Sequence, residues 1–225
     1  MGTDTTEPCI VAIDGPAGAG KSTVGRALAR RLGLSYLDTG AMFRAVTVAA
    51  LRRGIDPADA TAVADLAVAV RLEVGDPTVL ADGEDVTAAI RTAEVNAAVS
   101  AVAANVGVRA ELRRRQQAWA AERGGGVIEG RDIGTVVFPD ALLKLYLTAS
   151  PEVRAARRHQ EQTGQALAEV ADAIARRDHA DRSRAHAPLA EADDAVTVDT
   201  GDRSVDAIVD EIVALVDERR ERRAR

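Results

Sequence analysis

The run Gly15-Pro16-Ala17-Gly18-Ala19-Gly20-Lys21-Ser22-Thr23 has the composition and spacing to hold a chain of phosphates. Its pattern is G-x-x-x-x-G-K-[ST]. It follows the apolar run Cys9-Ile10-Val11-Ala12-Ile13-Asp14 and opens a stretch of helical spacing, which is the strand–loop–helix context such a loop requires. Glycine allows backbone conformations that a Cβ forbids, so successive N–H groups can converge on phosphate oxygens. The helix that follows adds the positive end of its dipole at the same point. Lys21 can reach β- and γ-phosphates, and the Ser22 hydroxyl can ligate Mg²⁺.

The residues that accompany this loop narrow its use. A regulatory GTPase reads guanine with an N/TKxD segment, but the chain has two lysines, Lys21 and Lys144, and neither is followed by x-Asp. A motor or transporter ATPase ends an apolar run in Asp, whereas the candidate run here reads Val127-Ile128-Glu129-Gly130-Arg131-Asp132, unusual for that role. Arginines beside glycine turns stand in their place: Arg44 after Asp38-Thr39-Gly40, Arg131, then Arg154, Arg157 and Arg158, and later Arg176, Arg177, Arg182 and Arg184. Guanidinium groups bind phosphate in a fork and keep their charge near neutral pH. A small kinase that moves a phosphoryl group between two anionic nucleotides needs several of them to offset the charge it gathers. An acceptor that is itself a phosphate is ionised near neutral pH and needs no general base, in keeping with the lack of an H-R-D motif.

The 225 residues suit one α/β domain with room for a small insert. Aromatics are 2% of the chain, so the core must be built from Ala, Val, Leu and Ile. A net charge of −6 argues against general nucleic-acid or anionic-membrane binding, which leaves phosphate binding to local arginine clusters. Cys9 is the single cysteine and reads as a small core residue. Met1 to Pro8 is polar and acidic, with no secretory signal, and no apolar run approaches ~20 residues, so a cytoplasmic monomer is expected. His159, His179 and His186 lack zinc-like spacing.

The elements that must position these groups alternate. A helix after the loop ends at Gly33, a second strand covers 34–37, and a helix over 40–53 stops at Gly54. Asp56-Pro57 reads as the start of another helix, reaching Val70. Three short strand-like pieces between Arg71 and Val86 are split by Gly75-Asp76-Pro77 and Asp82-Gly83, which predicts a small antiparallel sheet outside the main one. Helical spacing over 92–122 breaks near Asn105-Val106-Gly107. Strands follow at 127–129, 141–148 and 195–199, with helix starts at Ser150-Pro151-Glu152 and Ser204 and an interruption at Thr163-Gly164. Alternating strands and helices indicate a parallel sheet covered on both faces.

Beyond the loop, several motifs resemble one family: Leu37-Asp38-Thr39-Gly40-Ala41-Met42-Phe43-Arg44, Gly83-Glu84-Asp85-Val86, Ile90-Arg91-Thr92-Ala93-Glu94-Val95 and Ser100-Ala101-Val102-Ala103. Gly130-Arg131-Asp132-Ile133-Gly134-Thr135-Val136-Val137-Phe138-Pro139-Asp140, Arg177-Asp178, Asp181-Arg182-Ser183-Arg184 and Ala187-Pro188-Leu189 complete the set. Over nearly its whole length the chain resembles the bacterial cytidylate kinases, the CMP/dCMP branch of the nucleoside monophosphate kinases. The resemblance implies an α/β P-loop kinase with a five-stranded parallel sheet flanked by helices, a small inserted antiparallel β-bearing domain and a lid. Core segments would cover about 8–55, 106–150 and 188–225, the acceptor-binding insert about 56–105 and the lid about 151–187.

The resemblance also implies roles. Thr39, Arg44 and Arg131 would hold the CMP phosphate, with Thr39 standing where the family more often has Ser. Ser100, Arg109 and Asp132 would read cytosine, and Arg177 with Asp181 would contact the sugar. Lys21, Arg131, Arg157 and Arg184 would act on the transferred group, and Arg158 would join the loop in holding ATP. Arg154 resembles a third lid arginine. Glu129 stands where Asp is frequent and receives no direct contact. The implied partners are ATP, CMP and dCMP, without nucleic acid or membrane. Related small kinases acting on UMP, shikimate or dephospho-coenzyme A, and a regulatory module that binds ATP without turnover, remain the alternatives.

Overall fold

A computed structural model describes residues 8–161 and 166–224. The first apolar run forms β1 (Cys9–Asp14), buried over its last five residues, as a strand flanked on both sides must be. The phosphate-loop sequence then leads into α1 (Lys21–Leu32), closed by Gly33 in the left-handed conformation. Next come β2 (Tyr36–Asp38) and α2 (Thr39–Arg52), whose N-terminus is capped by the Asp38 carboxylate accepting from the Ala41 N–H at 3.0 Å. Then follow α3 (Ala60–Ala69), β3 (Leu72–Val74), β4 (Val79–Ala81), β5 (Glu84–Asp85), α4 (Ala93–Ala104), α5 (Val106–Arg123) and β6 (Gly125–Glu129). The chain ends with β7 (Leu143–Thr148), α6 (Pro151–Glu161), α7 (Leu167–Arg182), β8 (Val196–Asp199) and α8 (Val205–Arg223).

Five strands pair in parallel in the order β2-β6-β1-β7-β8, as expected of this fold class. Side chains alternate across a strand, and β1 shows the result. Ile10 and Ala12 enter the core under α2 to α5, while Val11 and Ile13 enter the core under α1 and α8. The expected small sheet is present as β3-β4-β5. Its second hairpin turns on Asp82 and Gly83, both at positive φ (53° and 84°), the conformation that an Asp-Gly pair accommodates in a two-residue turn.

Some boundaries move from their sequence positions, each for a local reason. The second strand starts at Tyr36, because the Leu34 N–H is spent on Ala29 O at the end of α1. Asp56-Pro57 forms a turn, with Asp56 accepting from the Ala58 N–H at 2.9 Å. Asp59 is the residue that caps α3, accepting from Ala62 N–H at 3.0 Å. The strand read from Ala141 begins at Leu143, and Ala141 instead donates to Phe138 O. Thr163-Gly164 lies outside the described residues.

Asn105 ends α4 and begins α5: its side chain accepts from the Val108 N–H at 3.2 Å and donates to Ala60 O at 2.8 Å. Because α4 and α5 carry Ser100 and Arg109, this junction sets the wall of the site described next. Asn105→Ala should lower stability by about 1 kcal/mol and the melting temperature by roughly 2–4 °C. Thermal unfolding checks this, and an unchanged midpoint would contradict it.

Candidate active site

The phosphate loop packs against main chain at two of its glycines. Gly15, Gly18 and Gly20 have φ of 147°, 76° and 81°. A Cβ on Gly15 would collide with the Leu147 carbonyl of β7, and one on Gly18 would lie 2.9 Å from the Arg154 carbonyl of α6. Lys21 folds back over the loop and donates from Nζ to Gly15 O at 2.9 Å and Pro16 O at 2.8 Å. Ala17 is fastened from outside: its N–H donates to Asp178 at 3.1 Å, and its carbonyl accepts from Arg154 at 3.0 Å. Ala19 O accepts from Thr200 Oγ1 at 3.0 Å. Ser22 donates to Glu129 Oε1 at 2.7 Å, while Thr23 is exposed one residue further on.

One cleft runs from Lys21 across the C-terminal ends of β2 and β6 to the α4–α5 wall. It gathers Thr39, Ser100, Arg109, Arg131, Asp132, Arg177, Asp181 and Arg184, all singled out from the sequence. At the far end Arg109 pairs with Asp132, donates to Ala103 O at 3.1 Å, and lies over the Phe43 ring at 5.6 Å. Nearer Lys21, Asp181 is held between Arg131, at 2.9 Å, and Arg184. Burial works to raise the Asp181 carboxyl, but the charges of Arg131, Arg184 and Arg177 outweigh it and keep it below its usual range. Thr39 donates to Glu129 O at 2.6 Å.

The cations of this region repel one another. Burial, followed by the charge of Arg131, pulls Arg177 down to about 9, and burial with Arg158 pulls Arg44 down to about 10. Arg44 is not among the lining residues; it donates to Ile90 O at 2.8 Å and lies within the fields of Arg158, Asp38 and Arg131. Burial and Arg131 bring Lys21 to about 7. Such a set of mutually opposed positive groups is stabilised by any anion placed among them.

The lid arginines divide. Arg157 donates to Thr200 Oγ1 at 2.8 Å, Thr200 O at 2.7 Å and Gly201 O at 2.9 Å, which ties it to the loop between β8 and α8, beside Gly20 of the phosphate loop and outside the lining of the acceptor cleft. Arg154 is buried against Asp178 and the carbonyls of Ala17 and Ala149. Arg158 pairs with Glu161 at 2.9 Å, and its charge is felt at both Arg44 and Arg177.

The sequence reading passed over Glu129. It is buried at the end of β6 against Ser22, and burial, then the charge of Asp38, pushes its carboxyl up to about 7. Its Oε2 is buried with no well-formed hydrogen bond, and the buried Tyr36 hydroxyl is the neighbouring group that interacts with the carboxylate. A hydroxyl and a carboxylate form a hard-oxygen donor set of the kind Mg²⁺ accepts, so the expected metal fits these residues. The signal was present as an acid closing an apolar strand.

The family described as cytidylate kinase matches residues 11–218. The chain belongs to the cytidylate kinase family. Two relatives bear this out over nearly their full length. A cytidylate kinase from Streptomyces avermitilis is 49% identical, covering 96% of each chain. One from Rhodococcus opacus is 50% identical, covering 96% of this chain and 97% of its own. A gluconokinase structure from Sinorhizobium meliloti, 16% identical with a TM-score of 0.52 over 94% of this chain and 93% of its own, shares the fold.

The depressed Lys21 gives this family member a measurable signature. Burial and the charge of Arg131 hold its amine far below the usual lysine range, down to about 7, and a triphosphate beside it would favour the charged form. ATP binding at pH 8 should therefore take up protons, read by calorimetry as a dependence of the binding heat on buffer ionisation enthalpy. Binding heats identical in all buffers would contradict it.

Proposed function

We propose that the chain transfers the γ-phosphoryl group of ATP to CMP or dCMP, giving ADP and CDP or dCDP. The observation that carries this reading is the single cleft that joins Lys21, a cluster of arginines and the Arg109–Asp132 pair. The amides from Gly18 to Thr23 and Lys21 bind the donor phosphates. Ser22 and Glu129 hold Mg²⁺, which when bound neutralises charge on the β- and γ-phosphates.

Arg131, Arg44 and Thr39 hold the acceptor phosphate. Cytosine offers an N4 amino donor and an N3 acceptor, and uracil reverses both. Asp132 accepts from N4, and Arg109 or Ser100 donates to N3 or O2. The wrong base would leave these polar groups unpaired, which discriminates strongly. Arg177 and Asp181 meet the sugar, and Arg184, paired with Asp181, faces the sugar or the transferred phosphate. Because Arg157 is committed to the β8–α8 loop, Arg158, whose charge reaches Arg44 and Arg177, is the better candidate for the lid cation at the transfer path.

The cleft has a free volume of about 60 Å³, space for a few waters. Residues 56–105 and 151–187 are read as the insert and lid that open around the core to admit a nucleotide, then close to exclude water. A cytoplasmic monomer serving pyrimidine nucleotide metabolism fits this activity.

A coupled ADP-release assay across CMP, dCMP, UMP, shikimate and dephospho-coenzyme A tests the reading. CMP and dCMP should be preferred, and preference for another acceptor, or ATP binding without acceptor-dependent ADP, would sink it. Arg131→Ala should lower kcat by about a hundredfold or more with the fold intact by circular dichroism. In the same assay Arg158→Ala should lower kcat more than Arg157→Ala. The reverse order would return Arg157 to the transfer path.

A further inference from the structure

Asp14, the last residue of β1, has no part in the chemistry above, yet it is buried and ionisable. Its two oxygens are fully used: Oδ1 accepts from the Ile133 N–H at 2.8 Å and Oδ2 from the Gly134 N–H at 2.7 Å. These are the first two amides of a single π-turn, Ile133–Val137, in which Val137 donates to Asp132 O at 3.2 Å and Phe138 to Ile133 O at 2.7 Å. The first N–H groups of any helical turn have no partner within it. Here the cap comes from another strand, 119 residues away in sequence.

The position of this cap decides what it fixes. Ile13 O accepts from the Gly130 N–H at 2.9 Å, and Asp14 accepts from Ile133 and Gly134. Consecutive residues of β1 therefore pin both ends of a short segment whose middle is Arg131 and Asp132. The peptide after Asp132 is immobilised by Asp14, and the Asp132 carbonyl is held by the Val136 N–H at 2.9 Å. With its backbone fixed on both sides, Asp132 keeps only the rotation of its short side chain, and its carboxylate pairs with Arg109.

We propose that Asp14 is a positioning residue for base selection: by capping the π-turn it sets the aim of Asp132 and thereby the preference for cytosine over uracil. This rests on the functional reading above, which assigns Asp132 to the base. Burial pushes the Asp14 carboxyl up to about 6, the charge of Asp132 adds to that rise, and the two amide partners and Lys21 oppose it. A neutral amide of the same shape cannot replace it. Its single oxygen accepts from one N–H while its NH₂ confronts the other.

The test is Asp14→Asn, with kcat/KM measured for CMP and UMP. The CMP/UMP ratio should fall about tenfold or more, through a higher KM for CMP; loss of the Asp14 charge beside Lys21 changes ATP binding equally for both acceptors and so leaves the ratio untouched. A variant that keeps the wild-type ratio overturns the inference. Wild type without a CMP preference defeats the functional reading instead. If Asp14→Asn does not fold, hydrogen exchange of the wild-type Ile133 and Gly134 amides decides. Both should be protected without nucleotide, and exchange at open-loop rates in the free protein overturns the claim that the turn is preset.

Discussion

The C-terminal end of β1 is the constraint on which the rest depends. Within three residues, Ile13 O takes the Gly130 amide, Asp14 takes the Ile133 and Gly134 amides, and Gly15 turns into the phosphate loop against the Leu147 carbonyl. β1 is the central strand, between β6 and β7, so the donor cradle and the acceptor segment grow from adjacent backbones. A site outside the carboxyl ends of parallel strands is the general arrangement for this architecture. What is particular here is the direct bonding between the two halves. Neither the end of β1 that leads into the loop nor the Gly130–Gly134 segment can shift without breaking the buried hydrogen bonds between them.

Charge is distributed by a second rule. The chain as a whole is acidic, yet Lys21, Arg44, Arg131, Arg158 and Arg177 act on each other in one region. Their mutual repulsion is tolerated because carboxylates stand among them. Asp181 holds Arg131 and Arg184, Asp132 holds Arg109, and Glu129 lies in the field of Lys21. These acids keep the guanidinium forks aimed in the absence of substrate, so little reorganisation is needed when phosphate enters. Full neutralisation would remove the attraction, and no acid would leave the cations splayed into solvent.

Much of this was legible in the sequence. The loop, the five-stranded alternation, the Asp-Gly hairpin and the break at Asn105 are local patterns, and local patterns survive tertiary context. Thr39, Ser100, Arg109, Arg131, Asp132, Arg177, Asp181 and Arg184 were readable from motifs, and they line one cleft. The rest depended on contacts far apart in the chain. Arg157 and Arg158 are equivalent as letters, and only the packing of Thr200 beside α6 separates them. Glu129 meets the Ser22 hydroxyl only through the packing of β6 beside α1, a contact between residues 107 apart that no local pattern announces. The π-turn at Ile133–Val137 has no helical spacing to announce it and exists against a cap from β1.

The most direct measurement is a crystal structure of the protein with CMP. The account predicts the base against Arg109 and Asp132, the phosphate at Arg131 and Arg44, and the Gly130–Gly134 segment unmoved on β1. A nucleotide bound elsewhere, or a cleft still filled by its own side chains, would contradict it.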